Sequence, residues 1–201
     1  MENIHWLGHA SFKITGDKII YIDPYQISDN EKADIILITH THYDHLSLED
    51  IQKIRKEDTA ILAPADAREK LTNFYAIKPN EFLTIKGIKI QTVAAYNLDK
   101  QFHPQEKQWV GYVIDVNGKR IYHAGDTDLI PEMEELEDID VAILPVGGTY
   151  TMDVTEAVQA VHIIEPRVAI PMHYGKIVGT KNDAEKFKEL SDSRVEILPN
   201  E

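Results

Sequence analysis

The run Ala33-Asp34-Ile35-Ile36-Leu37-Ile38-Thr39 leads directly into His40-Thr41-His42-Tyr43-Asp44-His45. A β-branched run this short reads as a buried strand. Ser47, with Asp50 three residues on, reads as an N-cap that starts a helix running to about Lys56. A strand that feeds a helix through a polar loop is the arrangement in which α/β folds place their functional groups. At the two-residue period of extended chain, His40 and His42 point the same way, so both imidazoles can reach one metal ion. Asp44 and His45 follow in the turn, where the chain can aim them at a second point. Imidazole and carboxylate suit zinc, and also iron, nickel or manganese. In a chain of this composition H-x-H-x-D-H is expected by chance on the order of once in a thousand sequences.

The flanking elements come in a distinctive order. Residues 4–14 read as one strand, paired with 18–22 across the turn Thr15-Gly16-Asp17. Residues 60–63 form a short strand and 65–74 are helical in composition. Lys86-Gly87 then joins strands at 82–85 and 88–94, and Asn117-Gly118, the strongest short hairpin signal, joins 110–116 to 120–123. Pro131 opens an acidic helix, followed by a strand at 141–146. Asp153 with Glu156 caps a helix that carries Val154, Ala157, Val158, Val161 and Ile164 on one face and stops before Pro166. A strand at 168–171, a helix at 183–190 and a strand at 195–198 follow. Hairpins, β-α alternation, hairpins and β-α alternation again suit an α/β fold of two mixed sheets packed face to face with helices outside. No repeat or Pro/Gly/Ser-rich linker interrupts the order, so residues 1–201 read as a single domain.

Composition narrows the chemistry. The absence of cysteine excludes a disulfide scaffold, a Cys-ligated zinc or iron–sulfur site and a cysteine nucleophile. With 21 Lys+Arg against 34 Asp+Glu, the net charge of −13 opposes binding to nucleic acid through phosphate contacts. No apolar run approaches the ~20 residues that span a membrane. Met1-Glu2-Asn3 shows no basic stretch leading into an apolar one, so the cytoplasm is the expected compartment. Oligomeric state is not legible.

Further donors lie at the ends of later strands. Asp126, in Gly125-Asp126-Thr127, follows the strand at 120–123 and could bridge two metals, with Gly125 permitting close backbone approach. His173, in Pro171-Met172-His173-Tyr174-Gly175, follows the strand at 168–171. Of the nine histidines, His5, His123 and His162 read as packing or surface residues. The acidic stretch 132–140 reads as a solvated face.

The sequence T-H-T-H-Y-D-H, then G-D-T, then P-M-H-Y-G resembles the metallo-β-lactamase superfamily over essentially the whole chain. The opening W-L-G-H-A-S-F, the Ile22-Asp23-Pro24 triplet and Y-H-A-G-D-T-D narrow the likeness to the small UlaG-like, ascorbate-phosphate-lactonase-like hydrolases. The resemblance implies the αβ/βα four-layer sandwich. It implies two divalent ions, zinc first among them. His40 and His42 would bind the first ion with a histidine from the middle of the chain. Asp44, His45 and His173 would bind the second, and Asp126 would bridge the two. Asp23 would hydrogen-bond behind the ligands. Where related sequences often carry A-Y-H, this chain reads Ala95-Tyr96-Asn97. His103 is therefore expected to complete the first site, with His9 and Asn97 as rivals.

The implied chemistry is hydrolysis. Two ions ~3.5–4 Å apart hold a hydroxide near neutral pH, and Asp44 could bind metal through one oxygen and orient the nucleophile through the other. His9, Tyr174 or a metal-bound water are the candidates for proton donor, and the loops 98–108 and 149–152 would flank the substrate. The expected partner is a small molecule carrying an ester, lactone or phosphodiester, with a phosphorylated or lactone metabolite preferred. A metal-binding or sensing protein without turnover is the alternative, and an interaction module with incidental histidines does not account for the motifs.

Overall fold

Hydrogen-bonded pairing divides the strands between two sheets in the computed structural model, which describes residues 2–201. The first sheet contains β1 (Ile4–Gly8), β2 (Ser11–Ile14), β3 (Ile20–Ile22), β4 (Ile35–Leu37), β5 (Ala60–Pro64) and β6 (Tyr75–Ile77), in that spatial order. The second contains β7 (Phe82–Ile85), β8 (Ile88–Ala94), β9 (Val110–Val116), β10 (Lys119–His123), β11 (Val141–Pro145) and β12 (Val168–Met172), also in sequence order across the sheet. Each sheet is antiparallel where hairpins join its strands and parallel where crossovers do. These are the two mixed sheets that the order of elements suggested, in agreement with the αβ/βα sandwich implied by the resemblance.

Alternation places the core on both faces of the first sheet. Ile35 and Leu37 point into the layer between the sheets, where Phe12, Ile14, Tyr112 and Ile114 meet them. Ile36 and Ile38 point the other way, onto Leu46, Ile51 and Ile54 around α1 (Leu48–Ile54). On the second sheet, α2 (Val154–Ile164) packs on β11 and α3 (Lys181–Leu190) on β12. Local signals account for the starts of α1 and α2. The Ser47 hydroxyl accepts from the Asp50 N–H at 3.3 Å, and Asp153 and Glu156 form a reciprocal capping box. Asn117 and Gly118 both have positive φ, as a tight hairpin turn requires. Among the described residues no helix is long and apolar enough to cross a membrane.

Five elements depart from the sequence reading. Residues 4–14 form two strands, because the chain folds back at Gly8-His9 and Trp6 pairs with Phe12 beside a register shift. The segment at 65–74 is a 3₁₀ turn only at Ala65–Glu69, and Asn73 takes a left-handed conformation before the unforeseen edge strand β6. The acidic helix after Pro131 is likewise a 3₁₀ turn, Pro131–Glu135. The strand expected at 195–198 reduces to a single bridge between Val195 and Ala169. The helix expected at 183–190 begins two residues earlier, where the Thr180 N–H and hydroxyl both donate to Asp183.

Candidate metal centre

The ends of β1, β3, β4, β8, β10 and β12 lead toward one edge of the sandwich. Asp23 follows β3 and is fully buried. Its Oδ1 accepts the Thr39 N–H at 2.8 Å and its Oδ2 accepts the Thr39 hydroxyl at 2.5 Å. The same Oδ2 accepts the Nδ1–H of His45 at 2.7 Å. With its hydrogen committed to Asp23, the Thr39 oxygen accepts from His40 Nδ1 at 3.0 Å. Asp23 thus turns Nδ1 of both His45 and His40 away from the cluster and leaves their Nε2 atoms facing it.

Two donor sets converge there. His40, His42 and His103 form one, and His9, Asp44, His45 and His173 form the other. In the first, His40 Nε2 and His42 Nδ1 are 3.0 Å apart. Trp109 closes this set, its ring 4.9 Å from those of both His40 and His42 and 5.7 Å from that of His103. Trp109 is held in turn by an indole N–H bond to Asp66 at 3.0 Å.

His103 is the middle histidine, and Asn97 serves it. The Asn97 side-chain oxygen accepts both the backbone N–H and the ring Nδ1 of His103, at 3.0 and 2.9 Å. The Asn97 amide nitrogen donates to Asp128 and to the Tyr150 carbonyl, each at 2.9 Å. Asn97 therefore orients His103 and does not present its own oxygen to the cluster. Asp128, which sequence reading missed, anchors the loop by also accepting the Leu98 N–H at 2.9 Å.

His9 falls in the second set and not in the first, contrary to its expected place as the rival of His103. The turn between β1 and β2 carries it inward with φ 51°, and the Trp6 indole N–H donates to its carbonyl at 2.9 Å. Its Nε2 donates to Asp44 Oδ2 at 3.1 Å. The His173 N–H donates to the His9 carbonyl at 3.0 Å, tying the first hairpin of one sheet to the last strand of the other. Gly147 lets its own loop pass close to His173, because a Cβ there would lie 2.4 Å from the His173 carbonyl.

Asp126 lies between the sets. Its Oδ2 is 3.0 Å from His173 Nε2, 3.3 Å from His103 Nε2, 3.4 Å from His45 Nε2 and 3.9 Å from His40 Nε2. The preceding Gly125 has φ 67°, and a Cβ there would meet the Val110 carbonyl at 2.9 Å, so the close approach anticipated for this glycine is present.

Burial and mutual charge set the protonation of the cluster. Burial holds His40 well below the ordinary imidazole range, aided by His45. Burial, with His103, brings His42 down to about 4. Burial also lowers His9, against the pull of its bond to Asp44. Burial disfavours a charge on His45 too, but Asp126 and Asp23 outweigh it and hold this imidazole well above its usual range. Burial would raise Asp126, yet the surrounding His173 and His45 keep it well below the carboxylate range. Burial would raise Asp44 as well, and its bond from His9 more than offsets that.

The donor set fits divalent metal. His45 Nε2, His103 Nε2 and Asp126 Oδ1 are buried with no hydrogen-bond partner in the protein. Such atoms are rare unless something further satisfies them. Here they are two imidazole nitrogens and a carboxylate oxygen of one cluster, which a cation can satisfy together once His45 gives up its proton.

The β-lactamase superfamily domain matches residues 3–173. The chain belongs to this superfamily. Within it the chain belongs to the UPF0173 metal-dependent hydrolases, being 34% identical to the member from Thermococcus onnurineus over 98% of this chain and 96% of that one. A crystal structure from Parabacteroides distasonis, assigned as a metal-dependent hydrolase, is 37% identical, with a TM-score of 0.89 over 97% of this chain and 91% of that one. Igni18, a metallo hydrolase from Ignicoccus hospitalis, is 26% identical, with a TM-score of 0.81 over 98% of this chain and 94% of its own.

In this β-lactamase superfamily member the cluster opens to solvent through a cleft of about 230 Å³. Its floor is His42, Asp44, His103, Asp126 and His173, and its walls are Tyr43, Phe102, Tyr150 and Ile177. Phe102 and Tyr150 bring in the two loops expected to flank the site. A wider groove of about 730 Å³ runs along α2 past His162 and Glu165. Among the described residues the converging donor groups all lie at the smaller cleft and none at this groove. Tyr174, a candidate proton donor from sequence, does not line the cleft. It is buried against Trp6 with ring centroids 4.8 Å apart, and burial pushes its hydroxyl up to about 12. His123 packs, donating from Nε2 to the Ala10 carbonyl at 3.0 Å and accepting the Gly125 N–H at Nδ1.

Proposed function

We propose that this single-domain chain hydrolyses an ester, lactone or phosphodiester of a small metabolite with two divalent ions, zinc first among them and manganese, nickel or iron compatible with the same donors. His40, His42 and His103 would hold one ion, Asp44, His45 and His173 the other, and Asp126 both, following the UlaG-like plan. The observation that carries this reading is Asp126 Oδ2, which lies 3.0–3.9 Å from four imidazole nitrogens drawn from both donor sets. Divalent ions supply a nucleophilic hydroxide near neutral pH and polarise the electrophilic oxygen.

The protein's own groups prepare that chemistry. His40 and His42 are neutral near pH 7, so their lone pairs are free without loss of a proton. His45 must release one, because Asp126 and Asp23 otherwise keep it charged. Asp44 remains a carboxylate at the edge of the cleft, with one oxygen steadied by the His9 N–H. That carboxylate can orient an attacking water and take its proton. In this hydrogen-bonded state His9 uses its Nε2–H on Asp44, which makes it a positioning residue. The reading carries with it a small-molecule partner, no nucleic acid, and work in the cytoplasm.

The test is metal content per chain by elemental mass spectrometry, on protein purified without a histidine tag, after chelation and repletion. About two ions per chain, with turnover on a panel of esters, lactones and phosphodiesters, is the expected result. His40→Ala and Asp44→Ala should each remove that turnover while the thermal transition persists, and full activity in either variant overturns the proposal. Two ions without turnover on any of the panel would favour a binding or sensing protein.

A further inference from the structure

The walls of the cleft carry a second message. Of the residues that line it, those outside the donor sets are Tyr43, Phe102, Tyr150 and Ile177, and no lysine or arginine is among them. Phe102 is 48% exposed, Tyr43 63% and Ile177 37%. Large apolar side chains left in water around a polar floor mark a surface that a ligand covers.

The walls are also organised before any ligand arrives. Phe102 and Tyr150 come from different loops and meet edge to face, with ring centroids 4.6 Å apart. The Tyr150 backbone is fixed by the Asn97 side chain at 2.9 Å. Opposite them, Tyr43 stands edge-on to Tyr25 at 5.8 Å. The lysines of the flanking loops face other partners. Lys100 bonds Asp128 at 2.5 Å, and Lys176 lies over the Tyr25 ring at 5.7 Å.

We infer that the cleft selects small acyl compounds whose acyl group is aromatic or branched, apolar and uncharged, presented as an ester, lactone or thioester. This rests on the hydrolase reading above and narrows it, turning away from the phosphorylated metabolites preferred on sequence grounds. A phosphate or carboxylate at the far end of the acyl group, away from the ions, would meet Tyr43, Phe102, Tyr150 and Ile177 with no lining lysine or arginine. A phenyl or isopropyl group would cover Phe102 and Ile177. The volume of about 230 Å³ falls below the ~300–1,000 Å³ usual for drug-sized ligands, which suits one small acyl group. In the reaction the acyl carbon gains the hydroxyl of water, its bond to the leaving oxygen or sulfur breaks, and the alcohol or thiol departs with the remaining proton.

The experiment uses the full chain loaded with zinc and four thioesters of one thiol: phenylacetyl, isobutyryl, acetyl and succinyl. The phenylacetyl and isobutyryl compounds should exceed the acetyl and succinyl ones in kcat/KM by about tenfold or more. Equal or better hydrolysis of the acetyl or succinyl thioester overturns the inference. A second readout needs no turnover. Calorimetry should show phenylacetate binding the zinc-loaded chain about tenfold tighter than acetate, and equal binding overturns the inference. Phe102→Ala, at a half-exposed site, should fold with an unchanged thermal transition and lose most of that ratio; an undiminished ratio overturns the assignment of the wall. If no thioester, lactone or phosphodiester is cleaved while phenylacetate keeps its advantage, the hydrolase reading fails and the apolar subsite stands.

Discussion

The two donor sets sit side by side but are built differently. The first, His40, His42 and His103, is purely imidazole, roofed by Trp109 and oriented by side-chain hydrogen bonds from Thr39 and Asn97. The second, His9, Asp44, His45 and His173, contains a carboxylate, and backbone conformation positions two of its members. His9 and His173 have φ of 51° and 59°, and one main-chain hydrogen bond joins them. Non-glycine residues in this region carry a conformational cost of ~1–3 kcal/mol each, sustained only where the surroundings over-determine them. The first set can therefore be loosened by removing a side chain, while His9 and His173 of the second are held by the closure of the sandwich itself. Asp126 lies between them, its Oδ2 within 3.9 Å of imidazole nitrogens from each.

The largest effect should come from removing that link. Asp126→Asn keeps the shape and deletes the charge that four histidines face. Loss of a shared metal ligand worth several kcal/mol should lower kcat on the order of 10³-fold, with metal content falling at both sets. If only one ion is lost and activity stays within tenfold, Asp126 is not shared.

A smaller effect should separate the sets. Asn97→Ala frees His103 Nδ1 and one end of the loop without touching His9, Asp44 or His173. Partners behind a ligand typically contribute 10–100-fold in metal affinity. One of two ions should therefore become about that much easier to chelate, the other unchanged, as read by competition with a coloured chelator. Equal weakening of both ions would erase the distinction drawn here.

The mildest test is pH. His9, His40, His42 and His123 are held below their ordinary range by burial. Unfolded, each takes a proton near pH 6.5, so below that pH the unfolded chain binds more protons than the folded one and stability falls. The loss grows down to the folded values, about 4 for His42. His45 has the opposite sign. Held protonated in the fold, its contribution is complete below about pH 6.5 and is lost as pH rises through its folded value. With four groups against one, the urea midpoint of metal-free protein should drop between pH 7 and pH 5. A midpoint that holds or rises would mean that the first set is not buried in its neutral form.

Local patterns disclosed much of this. The H-T-H-Y-D-H run, the Ser47 and Asp153 caps and the Asn117-Gly118 turn each rest on neighbours within a few residues, where sequence and geometry are directly coupled. Asp126 and His173 were legible as donors because each follows a strand that reads clearly. The break at Gly8-His9 was hidden, because an apolar run on both sides reads as one strand and only the pairing of β1 with β2 turns it back. Asn97 was ambiguous for a similar reason. An amide after a strand can ligate or orient, and the choice depends on His103, Asp128 and Tyr150, up to 53 residues away.

What the sequence determined by itself was the chemistry: which side chains could bind metal, that no cysteine takes part, and that strands and helices alternate to hold strand-end loops. Tertiary structure decided which donors share a set, that Asp126 faces both, and that aromatic walls enclose the opening. The reason is physical. Residue type and short-range periodicity are encoded within a turn or a strand, whereas the 3–4 Å spacing of side chains from opposite sheets exists only once two sheets have packed across a common core.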